Sequence, residues 1–252
     1  DECMLHCKKG NWFYDNAQRG RANNSIKLLK TDLTKEEFDN YKESIKQFGE
    51  PGIVLVDDID FCTNPCAEIG FIPVNPKTGN SCISFCNLNE INGGLCNTPA
   101  KFYEACRNAS ILGTLQASYT NMPFLGIDTE ELINEEALIG VSITGIIDNP
   151  KVLLSPEVLR KGAEIVNQVN EEVAKIIGIN PAARTTTVKP SGNASVILGT
   201  SSGIHPAHSR RYFRIMQMNK QTEVAKVLAD TNSVLLENSV WSASGNDYAV
   251  YL

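Results

Sequence analysis

Gly140-Val-Ser-Ile-Thr-Gly-Ile-Ile147, then Ser155-Pro156 heading a run that closes at Gly178, then Arg184-Thr-Thr-Thr-Val188 read in succession as strand, helix and strand. The first and third stretches are short, β-branched and bounded by polar or turn-forming residues, which predicts strands, the first of them buried. Ser155 is a capping residue and Pro156 suits the first helical position. Val158, Leu159, Ile165, Val166, Val169, Val173 and Ile176 then recur at helical spacing on one face, and Gly178 supplies the stop. Strands alternating with helices predict an α/β architecture.

The same signals extend toward the N-terminus. Thr98-Pro99 repeats the cap-plus-proline opening, for a helix reaching about Ser118. Thr34 and Glu37 have the spacing of a capping box, Phe38, Tyr41, Ile45 and Phe48 follow at helical intervals, and Gly49 closes that helix. Gly52-Ile-Val-Leu-Val56 reads as a buried strand. Residues 1–25 are polar and irregular. Phe61 to Cys96 is dense in Cys, Asn, Pro and Gly, too irregular for a long element and too apolar for a linker, and reads as a functional loop held inside the fold. Beyond Val188, Lys189-Pro-Ser-Gly-Asn-Ala-Ser195 reads as a polar turn leading into Val196-Ile-Leu198, and a modest helix is expected near Glu223–Leu228. There is no internal repeat and no low-complexity segment.

Composition narrows the classes. The 252 residues are 42% hydrophobic and 21% charged, ordinary for a globular protein, and the formal net charge of -6 gives no basic footprint for wrapping nucleic acid. A local phosphate pocket is compatible with that average. No apolar run approaches the roughly 20 residues of a membrane helix and no basic-then-apolar leader opens the chain, so a membrane partner is not expected and the cytoplasm is the expected compartment. The opening Asp in place of Met is consistent with an excerpt of a longer chain.

Eight cysteines include three pairs of one spacing, Cys3/Cys7, Cys62/Cys66 and Cys82/Cys86. Three readings follow from residue chemistry. Cys62, Cys66, Cys82 and Cys86 have the donor set of a tetrahedral zinc site in a binding module. They also fit inert buried thiols. The third reading is catalysis, centred on Asn64-Pro65-Cys66-Ala67-Glu68. In an extended pentapeptide, positions two apart project to one side, so an amide, a thiol and a carboxyl would face one substrate. The thiol suits nucleophilic or one-electron chemistry, the carboxyl moves a proton, and the amide orients a hydroxyl. A plain thiol nucleophile at Cys66 would need a base beside the sulfur.

Pro190 to Ser195 also has two readings. It is either a simple turn or, with its small residues ahead of a helix start, a seat for an anion, Ser191, Asn193 and Ser195 adding side-chain donors. His205 and His208 read as packing or hydrogen-bonding residues, and Arg210, Arg211 and Arg214 as a small basic cluster without an assigned role.

Thr63-Asn-Pro-Cys-Ala-Glu-Ile69 followed by Phe85-Cys-Asn-Leu-Asn-Glu-Ile91 resembles the finger loop of class I and class II ribonucleotide reductases. The Asn-Pro-Cys wording and Gly49-Glu-Pro-Gly-Ile53 look more like the adenosylcobalamin-dependent class II enzymes. Thr185-Thr-Thr-Val-Lys-Pro-Ser-Gly192 and Ser201-Ser-Gly-Ile-His-Pro-Ala-His-Ser209 are similar to that family's substrate-phosphate region. The resemblance covers roughly residues 21–214, with its blocks in family order.

The resemblance implies that Cys66 holds a thiyl radical that removes the ribose 3′ hydrogen, that Glu68 takes the 3′-hydroxyl proton and that Asn64 hydrogen-bonds the sugar. Cys86 would be one of two reducing thiols. Ser191, Gly192, Asn193, Ala194 and Ser195 would bind substrate phosphate in a turn spanning about 189–196. Adenosylcobalamin would be the cofactor, a ribonucleoside tri- or diphosphate the substrate and a thioredoxin-like protein the reductant. The wording of the two later motifs leans toward the triphosphate. The implied fold is part of a ten-stranded α/β barrel, one partial catalytic domain over 1–252, threaded by a finger loop at about 61–96. Three family features have no counterpart here: an upstream second reducing cysteine, a C-terminal cysteine pair, and the tyrosines with which class I receives its radical. A fragment lacking the remainder of the subunit is the expectation, inactive and poorly soluble alone.

Overall fold

The computed structural model describes residues 6–206, 209, 211–242 and 244–251. Cys3, His208 and Arg210, singled out above, lie outside them. After a helical turn at Trp12–Asp15 and a 3-10 turn at Ala17–Arg21, in a stretch expected to be irregular, come strand β1 (Ser25–Leu29), helix α1 (Lys35–Phe48) and β2 (Gly52–Val56). Two-residue strands β3 (Cys62–Thr63) and β4 (Gly70–Phe71) follow, then β5 (Asn87–Asn92), α2 (Pro99–Ala117), α3 (Ile127–Glu136) and β6 (Ile139–Thr144). After these come α4 (Pro156–Ile177), α5 (Asn193–Leu198), β7 (Ile215–Asn219), α6 (Glu223–Asn232), β8 (Leu236–Asn238) and β9 (Asp247–Tyr251). The architecture is α/β. The elements gather into two compact units, Asp57–Ala207, and Asp1–Val56 with His208–Leu252.

In the unit Asp57–Ala207, β5 and β6 pair in parallel from Asn87↔Ile139 to Asn92↔Thr144, and α2 and α3 lie between them in sequence. Parallel neighbours need such a crossover. Two expectations change here. The stretch 61–96 is not loop throughout, since it contains a short hairpin and the six-residue strand β5. The anticipated strand at 184–188 runs beside β6 but makes only one bridge, Val141↔Thr186. Its ladder stops because the Lys189 N–H donates to the Ser142 hydroxyl (2.9 Å) instead of a backbone carbonyl. Val196–Leu198 belongs to a short helix, and α3 was not anticipated at all.

The core of this unit lies where β5 and β6 meet α2 and α4. Both helices begin and end close to where their caps place them, Thr98 accepting from the Lys101 N–H, Ser155 from the Val158 N–H, and Gly178 taking the left-handed conformation. Phe102, Cys106, Val166 and Val169 are buried between them. The expected apolar face of α4 is corrected at Ile176, which is 80% exposed, while Ala174, two residues before it, and Asn170, six residues before it, are buried instead. Asn170 donates to Thr114 Oγ1 (2.8 Å) and accepts from the Ala182 N–H (2.8 Å), so a polar side chain closes the end of an otherwise apolar seam.

In the other unit, β1 pairs in parallel with β2, and α1 joins them. The capping box of α1 is present in full, and Gly49 ends it in the left-handed region. β2 forms where anticipated but is not a buried strand: only Val56 is buried, because β2 belongs to a two-stranded sheet. β1 was masked in the sequence by the polar residues that lead into it. A three-stranded antiparallel sheet, ordered β7-β9-β8, completes this unit. Among the described residues no helix is long and apolar enough to cross a membrane.

Candidate active site

The Asn-Pro-Cys segment sits at the tip of the β3–β4 hairpin, whose strands pair Cys62 with Phe71 and Thr63 with Gly70. Six residues must reverse the chain. Asn64 accepts the Ala67 N–H on its carbonyl (2.9 Å) and the Ile69 N–H on its side-chain oxygen (3.1 Å). Pro65 presets the first corner of this turn, as proline does at that position. Ala67 occupies the left-handed region at φ 60°, a conformation costing roughly 1–2 kcal/mol for a residue with a Cβ. The extended pentapeptide considered above is therefore a turn, with Cys66 exposed on it.

Behind the turn, Glu68 is held at two points. Its carbonyl accepts from Thr187 Oγ1 (2.8 Å), and its Oε1 accepts from Lys189 Nζ (2.9 Å). The Glu68 side chain is only 5% exposed. Its second oxygen, Oε2, is buried with no hydrogen-bond partner. Burial pushes the carboxyl pKa up. The hydrogen bond from Lys189 opposes this, with the backbone, the Asn64 amide and the lysine charge, and together they hold it below the ordinary 4.5. Lys189 responds in kind. Burial favours its neutral form, but Glu68, Cys66 and Glu90 outweigh that and raise its pKa above the ordinary value.

Glu90, on β5, accepts from the Ser191 hydroxyl (2.7 Å) on Oε2, while its Oε1 is buried without a partner. The turn 189–191 is thus fastened at both ends to carboxylates, Lys189 to Glu68 and Ser191 to Glu90. Gly203 supports it from below. A Cβ at Gly203 would fall 2.4 Å from the Lys189 carbonyl oxygen, and Ser202 Oγ donates to the carbonyls of Pro190 (3.0 Å) and Ser191 (2.6 Å). This explains the pairing of a Lys-Pro-Ser-Gly stretch with a later Ser-Ser-Gly stretch in one sequence.

Ser191 is buried with φ 48° and leads through Gly192 into α5, which begins at Asn193. The Ser195 hydroxyl donates to the carbonyls of Ser191 (3.0 Å) and Gly192 (2.7 Å). The side chains of Ser191 and Ser195 therefore shape the turn. Any anion here would meet the backbone from Gly192 to Ser195, with Asn193 and Ala194 at its first helical positions. His205 is exposed, its Nδ1 3.1 Å from the Ser202 carbonyl oxygen.

Cys86 precedes β5 and packs with Cys62 against Ile69, Phe71 and Leu138. Its sulfur lies over Gly140, where a Cβ would come within 2.9 Å. Burial pushes its thiol up to about 12, Arg184 pulling down and Glu68 and Glu136 pushing further up. Glu68, Cys86, Arg184 and Thr187 line a small cavity of about 50 Å³. Among the described residues no group of three or more His, Cys, Asp or Glu side chains could hold a metal ion, so the zinc tetrad of Cys62, Cys66, Cys82 and Cys86 is not assembled. Cys96 and Cys106 are buried core thiols.

Lys189, Glu90, Thr187 and Ser142 were given no role from sequence. The available signal was that Thr187 and Lys189 lie in the stretch 185–192 and Glu90 in the stretch 85–91, and nothing local links either stretch to Glu68.

No family model matches the chain. It is 24% identical over 255 residues to a putative adenosylcobalamin-dependent ribonucleoside-triphosphate reductase of Mycobacterium phage D29, covering 93% of this chain and 34% of the relative. It is 27% identical over 239 residues to the adenosylcobalamin-dependent ribonucleoside-triphosphate reductase of Lactobacillus acidophilus, covering 74% and 29%. Among solved structures, a B-12 dependent (class II) ribonucleotide reductase superposes with a TM-score of 0.64 at 19% identity, over 100% of this chain and 39% of that one. The chain spans about a third of the length of the curated relatives it matches. Over most of its sequence the chain is similar to adenosylcobalamin-dependent ribonucleoside-triphosphate reductases, and it shares the fold of a class II ribonucleotide reductase.

Proposed function

We propose that the chain carries the radical-bearing loop and the phosphate-binding turn of a class II ribonucleotide reductase, which converts ribonucleoside triphosphates to 2′-deoxyribonucleotides. The triphosphate is favoured over the diphosphate by the names of the relatives. The observation that carries the reading is the meeting of two motifs about 120 residues apart. Thr187 and Lys189 of the Thr-Thr-Val-Lys-Pro-Ser-Gly stretch bind the backbone and carboxylate of Glu68, two residues from Cys66.

In this reading Cys66, as a thiyl radical, takes the ribose 3′ hydrogen. Glu68 accepts the 3′-hydroxyl proton and Asn64 orients the sugar. Cys86 and a second thiol supply two electrons and two protons, so the 2′-hydroxyl leaves as water and a disulfide forms. Burial keeps Cys86 protonated at neutral pH, the state in which it has a proton to give. The substrate's phosphates lie at Ser191, Gly192, Asn193, Ala194 and Ser195. Adenosylcobalamin supplies the one-electron oxidation that side chains cannot. The exposed position of Cys66 fits that requirement, whereas the buried Cys96 and Cys106 do not.

The proposal includes a single catalytic domain over 1–252 that contributes to a ten-stranded α/β barrel. Its finger loop spans about 61–96 and its phosphate turn about 189–196. The remainder of the subunit and a thioredoxin-like reductant are its partners, in the cytoplasm. The test is deoxynucleotide formation by the full-length protein with adenosylcobalamin, a ribonucleoside triphosphate and a dithiol. Cys66→Ala is expected to lower turnover by about a thousandfold or more with an unchanged circular dichroism spectrum. Turnover surviving in that variant would end the reading.

A further inference from the structure

Lys189 stands at the point where the two motifs join. A lysine beside a Pro-Ser-Gly turn invites the role of phosphate ligand, but its ammonium is engaged elsewhere. It donates to Glu68 Oε1 at 2.9 Å, and its own N–H is pinned to Ser142 on β6. The electrostatic influences on it come from Glu68, Cys66 and Glu90. With Oε1 occupied by the lysine, the buried and unpartnered Oε2 is the lone pair left for an incoming proton.

We propose that Lys189 is a positioning residue that holds the Glu68 carboxylate beside Cys66 and presents Oε2 as the proton acceptor, and that it is not a ligand of substrate phosphate. The inference rests on the reductase reading and deepens it. In the step concerned, the substrate O–H bond breaks, an O–H bond forms at Oε2, and the electron pair stays on the substrate oxygen. No oxidant or reductant enters. Lys189 stays a cation throughout, because Glu90 still faces it when Glu68 becomes neutral.

Among the described residues the charged and titratable groups around Glu68 are few. Lys189 contacts it from the 189–191 turn, Cys66 shares its own turn, and Cys86 and Arg184 face it across the small cavity. Glu90 faces Lys189 from the other side. Removing the lysine leaves a buried carboxylate with no cation in contact, and burial then dominates.

The experiment follows the δ-carbon resonance of Glu68, assigned by its loss in Glu68→Gln, across a pH titration of the protein. In the wild type it is expected to titrate below the ordinary 4.5. In Lys189→Gln the midpoint is expected to rise by a pH unit or more, and in Lys189→Arg to return toward the wild-type value. Nucleoside triphosphate affinity is expected to change less than threefold in Lys189→Gln. An unmoved Glu68 midpoint, or a tenfold loss of triphosphate affinity, overturns the proposal in favour of a phosphate ligand. Should Lys189→Gln fail to fold, the double variant Glu68→Gln/Lys189→Gln decides. Regained folding supports the pairing, and continued unfolding overturns it. Turnover in Cys66→Ala would defeat the reductase reading while leaving this titration intact, so the two failures are distinct.

Discussion

Glu68 is a carboxylate in a place that disfavours charge, and its ionisation depends on Lys189 more than on solvent. Because its folded pKa lies below the ordinary 4.5, the group adds stability that is fully present above that value and is lost as pH falls through the lower folded value. Urea unfolding of the wild type and Glu68→Gln is therefore expected to show a gap in midpoint at pH 7 that narrows as the pH drops below 4.5. A gap of constant size between pH 7 and pH 3 would mean that the ion pair contributes nothing. The same residue shows where sequence reading reached its limit. Asn64, Cys66 and Glu68 were legible as a set, but the geometry assumed for them was extended. The real turn depends on one Asn side chain bonding a backbone N–H five residues on. Lys189 was visible as a charge, and its partner was not, because 121 residues separate them.

Elements whose ends are written in local chemistry were the most readable. α1, α2 and α4 start and stop at the Thr34, Thr98 and Ser155 caps and at glycine or a neighbouring turn. Those signals act over three or four residues and owe little to tertiary context. β5 and α3 were missed because Asn87-Leu-Asn-Glu-Ile-Asn92 and Ile127–Glu136 carry polar residues whose place is set by packing alone. Packing also explains Gly162, which stands inside α4 where alanine has the better intrinsic propensity. A Cβ there would lie 2.5 Å from the Phe102 ring and 3.1 Å from the Cys106 sulfur, both buried. Gly162→Ala is expected to destabilise the protein by about 1–3 kcal/mol through overpacking, despite the gain in propensity. Chemical denaturation measures this directly, and Phe102→Leu in the same chain should recover part of the loss. A stabilising Gly162→Ala would show that the ring can move aside freely.

At the scale of the molecule, every proposed site residue lies in the unit Asp57–Ala207, yet these residues come from three separated stretches near 64–68, 86–90 and 184–203. No local segment can build the site. It exists only when β5 and β6 are paired and the core behind them has closed, so its integrity should follow the folding of the whole unit. The cysteines provide the reporters. Cys66 is exposed, whereas Cys96 and Cys106 are buried and the Cys86 thiol is pushed up to about 12, so little thiolate forms there at neutral pH. Alkylation with iodoacetamide at pH 8, read by peptide mass spectrometry across a urea series, should modify Cys66 without denaturant. Cys86, Cys96 and Cys106 should become reactive together, at the midpoint of the helical circular dichroism signal. That coincidence is required if the loop behind Cys66 and the α2–α4 core form one cooperative structure. If Cys86 becomes reactive well before Cys96 and Cys106, the site opens by a local event of lower free energy, and the coupling between core and chemistry argued from these contacts does not hold.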